Sequence, residues 1–307
     1  MRSLLVLAAV AAALVVAAKD GERRIGWWWI APDAANHPDV DAALAWLAAN
    51  SDIVQDLFVG NCGVTTSHGS VQGTVGPACA RVITNATALG VTHIELWGQA
   101  RGDTVAGAEQ LLGDPAGAAS AIVAALAPFG GNLSGFNFDL EIGRVQMCTV
   151  NGHTGRCDEK YASFLSRVRD ALRPHGYTVS VDVGCGKGWA PMIDNCAVLA
   201  PVVDKIRDMG TYHAQSFASW RDNLLAPLLS NVSLDKVAAG LACYNNSKSF
   251  PYELSDEGAA QRVCALLNRS VTSIDMFSLD PQKGFPMPFW LPHLRRFRQG
   301  GDCPMPE

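Results

Sequence analysis

The sequence predicts an α/β fold of the (β/α)8 barrel type, and three observations carry that prediction. Eight short segments of strand character alternate with helical segments along the chain. Alternation of that kind implies right-handed parallel βαβ units. The chain has 307 residues, which suits one such barrel. No Pro- or Ser-rich linker and no repeat divides it, so a single domain is expected. A doubly wound open sheet is the competing arrangement, but no Gly-x-Gly-x-x-Gly follows an early strand.

The elements follow in order. Arg24–Ile30 (RIGWWWI) reads as the first strand, Asp39–Ala49 has helical spacing, and Ile53–Val59 is the second strand. Pro77–Leu89 reads as a helix stopped by Gly90. Val91–Trp97 is the third strand, an Ala-rich stretch over 104–127 is helical, and residues 135–141 form the fourth strand. Glu159–Arg173 is a helix ended by Pro174 and Gly176, Tyr177–Val183 a strand and Met192–Val203 a helix. Lys205–Tyr212 is the sixth strand and Trp220–Leu229 a helix. Lys236–Tyr244, Asp256–Leu267 and Thr272–Leu279 complete the set as strand, helix and strand. About 30 residues join the last two strands, too few for a large inserted domain.

Residues 1–18 read as a secretory signal: Arg2, an apolar run from Leu4 to Ala18, then Lys19-Asp20. The run is short for a membrane span, so cleavage is expected, leaving 19–307 as the barrel in a secreted or lysosomal protein. An uncleaved anchor is the alternative. In an oxidising compartment the nine cysteines should mostly pair. Their spacing suggests 62–79, 148–157, 185–196 and 243–264, with Cys303 left over, although spacing does not determine connectivity. Sequons at Asn85, Asn132, Asn231, Asn245 and Asn268 fit a glycoprotein. The net charge of −5 argues against nucleic acid or an anionic membrane surface as partner. No metal-ligand spacing and no cofactor motif occurs.

Strands of a parallel barrel are covered on both faces and should be nearly all apolar. Charges within them are therefore informative. His93 and Glu95 lie in strand three, Asn137, Asp139 and Glu141 in strand four, Asp182 in strand five, Asp208 and then Tyr212 in strand six, and Asp275 in strand eight. If the apolar rows face the helices, these residues point inward, several near the C-terminal ends where barrel active sites are built. Asp139 and Glu141 share a face roughly 6.7 Å apart along the strand. A deep carboxylate beside a second one has its pKa raised, and a carboxyl kept protonated suits donation to a leaving glycosidic oxygen.

At these residues the chain resembles glycoside hydrolase family 18, the chitinase and chitobiase type. That family's strand-four signature is Asp-Gly-x-Asp-x-Asp-x-Glu, and Ser134-Gly135-Phe136-Asn137-Phe138-Asp139-Leu140-Glu141 lies on it, with glycine, last aspartate and glutamate kept. The resemblance implies a (β/α)8 barrel that hydrolyses β-linked N-acetylglucosamine oligosaccharides with retention, the substrate's acetamido oxygen being the nucleophile. It makes Glu141 the general acid/base and Asp139 the residue that orients the acetamido group. Met209-Gly210-Thr211-Tyr212 looks like the strand-six Met-x-Tyr-Asp, one residue longer and followed by His213. Asn137 stands where the signature has its middle aspartate, and Phe277 where strand eight would offer a tryptophan.

Trp97, Tyr244, Phe277 and Trp29 are expected to contact sugar, with Asp182, Asp208 and Glu95 as polar partners. Trp28 is expected to pack against a helix or its neighbours, and His93 to be a hydrogen-bonded core residue. A monomeric glycosidase acting on soluble carbohydrate is the leading reading. A chitinase-like sugar-binding lectin is the second, favoured by the departures at Ser134, Asn137 and Phe277. A metal-dependent enzyme using Glu95, Asp139 and Asp182 is the third.

Overall fold

The computed structural model describes residues 22–30, 32, 36–66, 69–99, 105–140, 148–150, 153–155, 158–185, 196–212, 216–243, 255–279 and 288–303. Eight parallel strands form a closed barrel in sequence order. They are β1 (Arg24–Ile30), β2 (Asp56–Gly60), β3 (His93–Gln99), β4 (Gly135–Asp139), β5 (Thr178–Val183), β6 (Lys205–Asp208), β7 (Val237–Ala242) and β8 (Ser273–Leu279). The ring closes where Arg24 pairs with Ser273 and Ile25 with Ile274. The (β/α)8 architecture expected from the alternation is therefore present.

Helices α1 (Pro38–Ala49), α2 (Pro77–Ala88), α3 (Val105–Gly113), α4 (Pro115–Leu126), α5 (Asp158–Leu172) and α6 (Cys196–Leu199) intervene between the earlier strands. Pro38, Pro77 and Pro115 occupy first-turn positions, where the missing N–H removes no helical bond. The Ala-rich stretch is two helices rather than one, because the Asp114 side chain caps the second by accepting from Gly117 N at 2.9 Å. Past β6, residues 217–231 are helical with a π-helical segment at Trp220–Leu225, and we call this run α7. Then come α8 (Asp256–Leu267) and α9 (Trp290–Gln299). The last was not anticipated. It is strongly amphipathic, with Trp290, Leu294 and Phe297 buried and Arg295, Arg296 and Arg298 on its other side.

Register decides which side chains face the barrel interior. Glu95 pairs with Gly135, Trp97 with Asn137, and Asn137 with Ser180. Asp182 pairs with Arg207, and Asp275 with Gly240. This inward row includes Gly26, Trp28, Phe58, Glu95, Trp97, Asn137, Asp139, Ser180, Asp182, Arg207 and Asp275. Alternation sends Phe136 and Phe138 to the helix layer, where Phe138 meets Phe164 of α5 edge-on at 5.5 Å.

Two expectations about facing fail, those that turned Trp29 and Asp208 toward the interior. Trp27 and Trp29 belong to the helix-facing core, Trp27 edge-on against Trp46 of α1 at 4.6 Å, whereas Trp28 turns inward onto Phe58 and Trp97. Three consecutive tryptophans carry no period, and their facing is set by the pairing of β1 with its two neighbours. Asp208 shares the helix-facing row of Ile206, and Arg207 occupies the interior instead. The sixth strand also ends at Asp208, and Gly210–Tyr212 is a 3-10 turn.

Disulfides Cys62–Cys79 and Cys185–Cys196 match the spacing argument. Cys264 bonds Cys303 rather than Cys243, which is buried as a free thiol. Cys243 follows β7, whereas Cys264 sits on α8, which packs against α9 and so meets the chain segment after it. The expected 148–157 bond lies outside the described residues, as does residue 157. Non-reducing peptide mapping should recover a Cys264–Cys303 linked pair, with Cys243 alkylated only after denaturation. Replacing both bonded cysteines by Ser should cost about 2–5 kcal/mol in a urea titration.

Candidate active site

The barrel interior carries an ionic layer at mid-depth. Arg207 of β6 is 2% exposed; its Nη2 donates to Glu95 Oε2 at 3.1 Å and its Nη1 to Asp275 Oδ2 at 2.9 Å. Its Nε reaches Ser180 Oγ at 3.0 Å, and the guanidinium lies 3.7 Å from the Phe58 ring centroid. Glu95 also takes Ser180 Oγ on Oε2 and faces His93 Nε2 at 2.8 Å through Oε1. Burial alone would raise the Glu95 pKa; Arg207 and His93 outweigh it and hold the carboxyl well below its usual range. Glycine at position 26 makes room for this layer, because a β-carbon there would strike Asp275 and Phe58.

Above this layer, toward the C-terminal strand ends, lie the residues the resemblance singles out. Trp97 Nε1 donates to Asp139 Oδ2 at 3.0 Å. The Asn137 amide donates to Ser180 Oγ at 2.8 Å and to Asp182 Oδ1 at 3.0 Å, tying this layer to the one beneath. Trp28, Phe58 and Trp97 form a separate aromatic cluster, with Ile30 and half-buried Phe277 against it. The aromatic side chains on β1 to β3 thus adjoin Asp139, Asn137 and Asp182 on β4 and β5. Flat rings facing hydrogen-bonding groups is the pairing a sugar ring requires, with an apolar face and a polar edge.

The structure accordingly brings together Asn137, Asp139, Asp182, Trp97 and Phe277. Glu95 is given over to Arg207, Ser180 and His93, below the aromatic layer, so the expectation of a sugar contact at Glu95 is corrected. Its charge is needed to neutralise a buried guanidinium. Trp29 is likewise corrected to the helix layer, and its neighbour Trp28 lines the interior. Asp208 organises the turn above β6, accepting from Cys185 N at 2.8 Å, Gly210 N at 3.2 Å and Thr211 N at 3.1 Å. Tyr212 closes that turn. Glu141 and Tyr244 lie outside the described residues. His93 is hydrogen-bonded within the barrel, as expected.

Arg207 and Ser180 escaped the sequence reading, as did the inward turn of Trp28. A signal for Arg207 was present: Lys205 and Arg207 alternate with Ile206, in a strand position that should be apolar on both faces. Its adjacency to Asp208 masked it. Tyr161 of α5 was also missed; it is 1% exposed, and burial, then Asp139 and Asp182, push its hydroxyl well above the ordinary tyrosine range.

Two measurements test this electrostatic frame. Arg207→Met leaves Glu95 and Asp275 buried without their cation, and should destabilise the protein by about 3–5 kcal/mol in chemical denaturation. Asp208 is lifted by burial to about 6 from an ordinary 3.8, against the pull of its N–H donors. The native state then binds a proton that the unfolded chain has released, so this contribution to stability is lost as pH rises through that window. Between about pH 4.5 and 6.5, wild type should lose stability relative to Asp208→Asn, read from urea midpoints.

No family profile and no curated protein sequence matches the chain. Solved structures do. A chitinase from Chromobacterium violaceum superposes with a TM-score of 0.62 at 14% identity, over 90% of this chain and 98% of that one. A Group IV chitinase from Ostrinia furnacalis, solved with allosamidin, gives 0.65 at 11% identity over 92% and 100%. A spore cortex-lytic enzyme from Bacillus megaterium gives 0.66 at 11% identity over 89% and 73%. The likeness is one of fold: the chain shares the barrel of these chitinases along nearly its whole length.

Proposed function

We propose that the protein is a chitin-related glycoside hydrolase that cleaves β-linked N-acetylglucosamine oligosaccharides, such as chitooligosaccharides or the chitobiose core of glycans. One observation carries the reading. Asp139 ends β4 on the inward face, held by Trp97 and flanked by Asn137 and Asp182, and the glutamate of the Asp-x-Glu pair follows two residues later. The chitinase-like fold and the aromatic cluster of Trp28, Phe58 and Trp97 support it.

In this reading the Glu141 carboxyl protonates the glycosidic oxygen as the C1–O bond breaks, and the substrate's acetamido oxygen closes on C1. Asp139 accepts from the acetamido N–H and balances the positive charge of the oxazolinium ring. Glu141, now a carboxylate, removes a proton from the water that reopens that ring at C1, so configuration is retained. Tyr212 is assigned to the acetamido carbonyl, and Trp97, Phe277 and Tyr244 to the sugar faces. Export through the secretory route belongs to the same proposal, supported by the disulfides among the described residues and by residues 1–18.

The test is hydrolysis of a fluorogenic N,N′-diacetylchitobioside. Glu141→Gln should lower kcat on the order of 10²–10⁴-fold with the fold intact. Asn137 and Phe277 favour a second reading, a lectin on the same barrel. Wild-type binding of chitooligosaccharide without turnover anywhere between about pH 3 and 8 would establish the lectin in place of the hydrolase.

A further inference from the structure

Strands β4 and β5 run side by side in a register that sets two buried carboxylates next to each other. Asn137 lies opposite Ser180 and Phe138 opposite Val181. One residue further along, Asp139 and Asp182 come level on the inward face of strands about 4.8 Å apart. Asp139 is 1% exposed and Asp182 5%. Carboxylates buried this close cannot both ionise cheaply.

Two further observations point to a proton held there. Arg207 directs its hydrogen bonds to Glu95, Ser180 and Asp275, so its charge is engaged one layer below. Asn137 is fully buried, and while its Nδ2 donates to Ser180 and Asp182, its Oδ1 receives no hydrogen bond among the described residues. An amide beside a neutral carboxylic acid has both halves matched: its N–H meets the acid's carbonyl oxygen, and its own carbonyl accepts the acid's O–H. Beside a carboxylate only the first half is matched.

We propose that Asp139 and Asp182 form an acid–carboxylate pair carrying one proton in total, with Asp182 the neutral partner, its O–H given to the Asn137 carbonyl, and a positioning residue for Asp139. The proton follows from the burial and register; its catalytic consequence rests on the glycosidase reading. Among the described residues, the groups facing the pair include Trp97 from β3, which donates to Asp139, Arg207 from β6, Asp275 from β8 and Tyr161 from α5. Burial first and Asp139 second push Asp182 well above the ordinary carboxylate range, with Asn137 and Arg207 pulling the other way. Tyr161 is held neutral and adds no charge. While Asp182 is neutral, Asp139 presents its full negative charge to the acetamido N–H. Once Asp182 ionises, repulsion displaces Asp139 and turnover falls, so Asp182 sets the alkaline limb of the rate profile.

The experiment has two arms on the full-length protein. Infrared spectroscopy of the substrate-free protein follows the carbonyl stretch of protonated carboxyl groups against pH. In an Asp208→Asn background, a band persisting above the ordinary carboxylate range should vanish when Asp182→Asn is added, and should disappear about one unit lower when Asp139→Asn, which removes the repelling charge, is added instead. In the kinetic arm, Asp182→Asn keeps a neutral hydrogen-bonding group and should lose on the order of 10-fold in kcat, against 10²-fold for Asp182→Ala. Its alkaline limb should also move up by about one unit. An Asp208→Asn protein without that band, a band that survives Asp182→Asn in that background, or an unmoved alkaline limb would overturn the pair. Should Asp182→Asn fail to fold, the Asp139→Asn spectrum decides. If no chitooligosaccharide is turned over, the glycosidase reading fails by itself and the infrared arm still judges the proton.

Discussion

Taking a guanidinium out of water costs several kcal/mol even after relaxation, and the interior of this barrel is arranged around meeting that cost at Arg207. Glu95 and Asp275 approach from β3 and β8, Ser180 from β5, and the Phe58 ring from β2 lies against the guanidinium plane. Four strands are thus referred to one side chain. The choice at each neighbouring position follows: a glycine at 26 where a β-carbon would collide, and a hydroxyl at 180 where an aliphatic group would leave donors unmet. Because Ser180 also accepts from Asn137, the position of the upper polar layer is inherited from the ionic layer below it.

That dependence gives a physical meaning to the departures from the chitinase pattern. Asn137 is bonded sideways, to β5, so Asp139 is held by an indole from β3 rather than by its neighbour two residues back. The polar set on β4 is integrated into a network of this chain's own making. An amide at 137 fits such a network because it can donate to a carboxyl and a hydroxyl at once, which a carboxylate cannot.

How much of this was legible depended on whether a residue's neighbours carried a period. Gly135–Asp139 alternates cleanly, and its inward row was read correctly. RIGWWWI offers three tryptophans in succession, and the facing of Trp28 against Trp29 is decided by pairing with β2 and β8, which no local pattern reports. Lys205–Asp208 presents a cation and an anion side by side; the carboxylate drew attention as chemistry, while the cation proved to be the interior group. The Cys264–Cys303 bond was hidden for a related reason: it depends on a last helix whose apolar stripe lies beyond the eighth strand and outside the strand–helix count.

That last helix also fastens the ends of the chain. Arg298 of α9 donates to the carbonyl of Arg23 across 275 residues of sequence and pairs with Glu22, and Arg295 pairs with Asp52. The ring has no earlier route to closure, since β1 finds its second neighbour only in β8. During synthesis the first strand must therefore wait, one edge unpaired, until nearly all of the polypeptide has emerged. Such a topology belongs with slow, high-contact-order folding, in which an exposed edge invites pairing with another chain. The seam between first and last strands is where chaperone dependence should concentrate, and the Cys264–Cys303 disulfide beside it, under oxidising conditions, is positioned to make closure one-way.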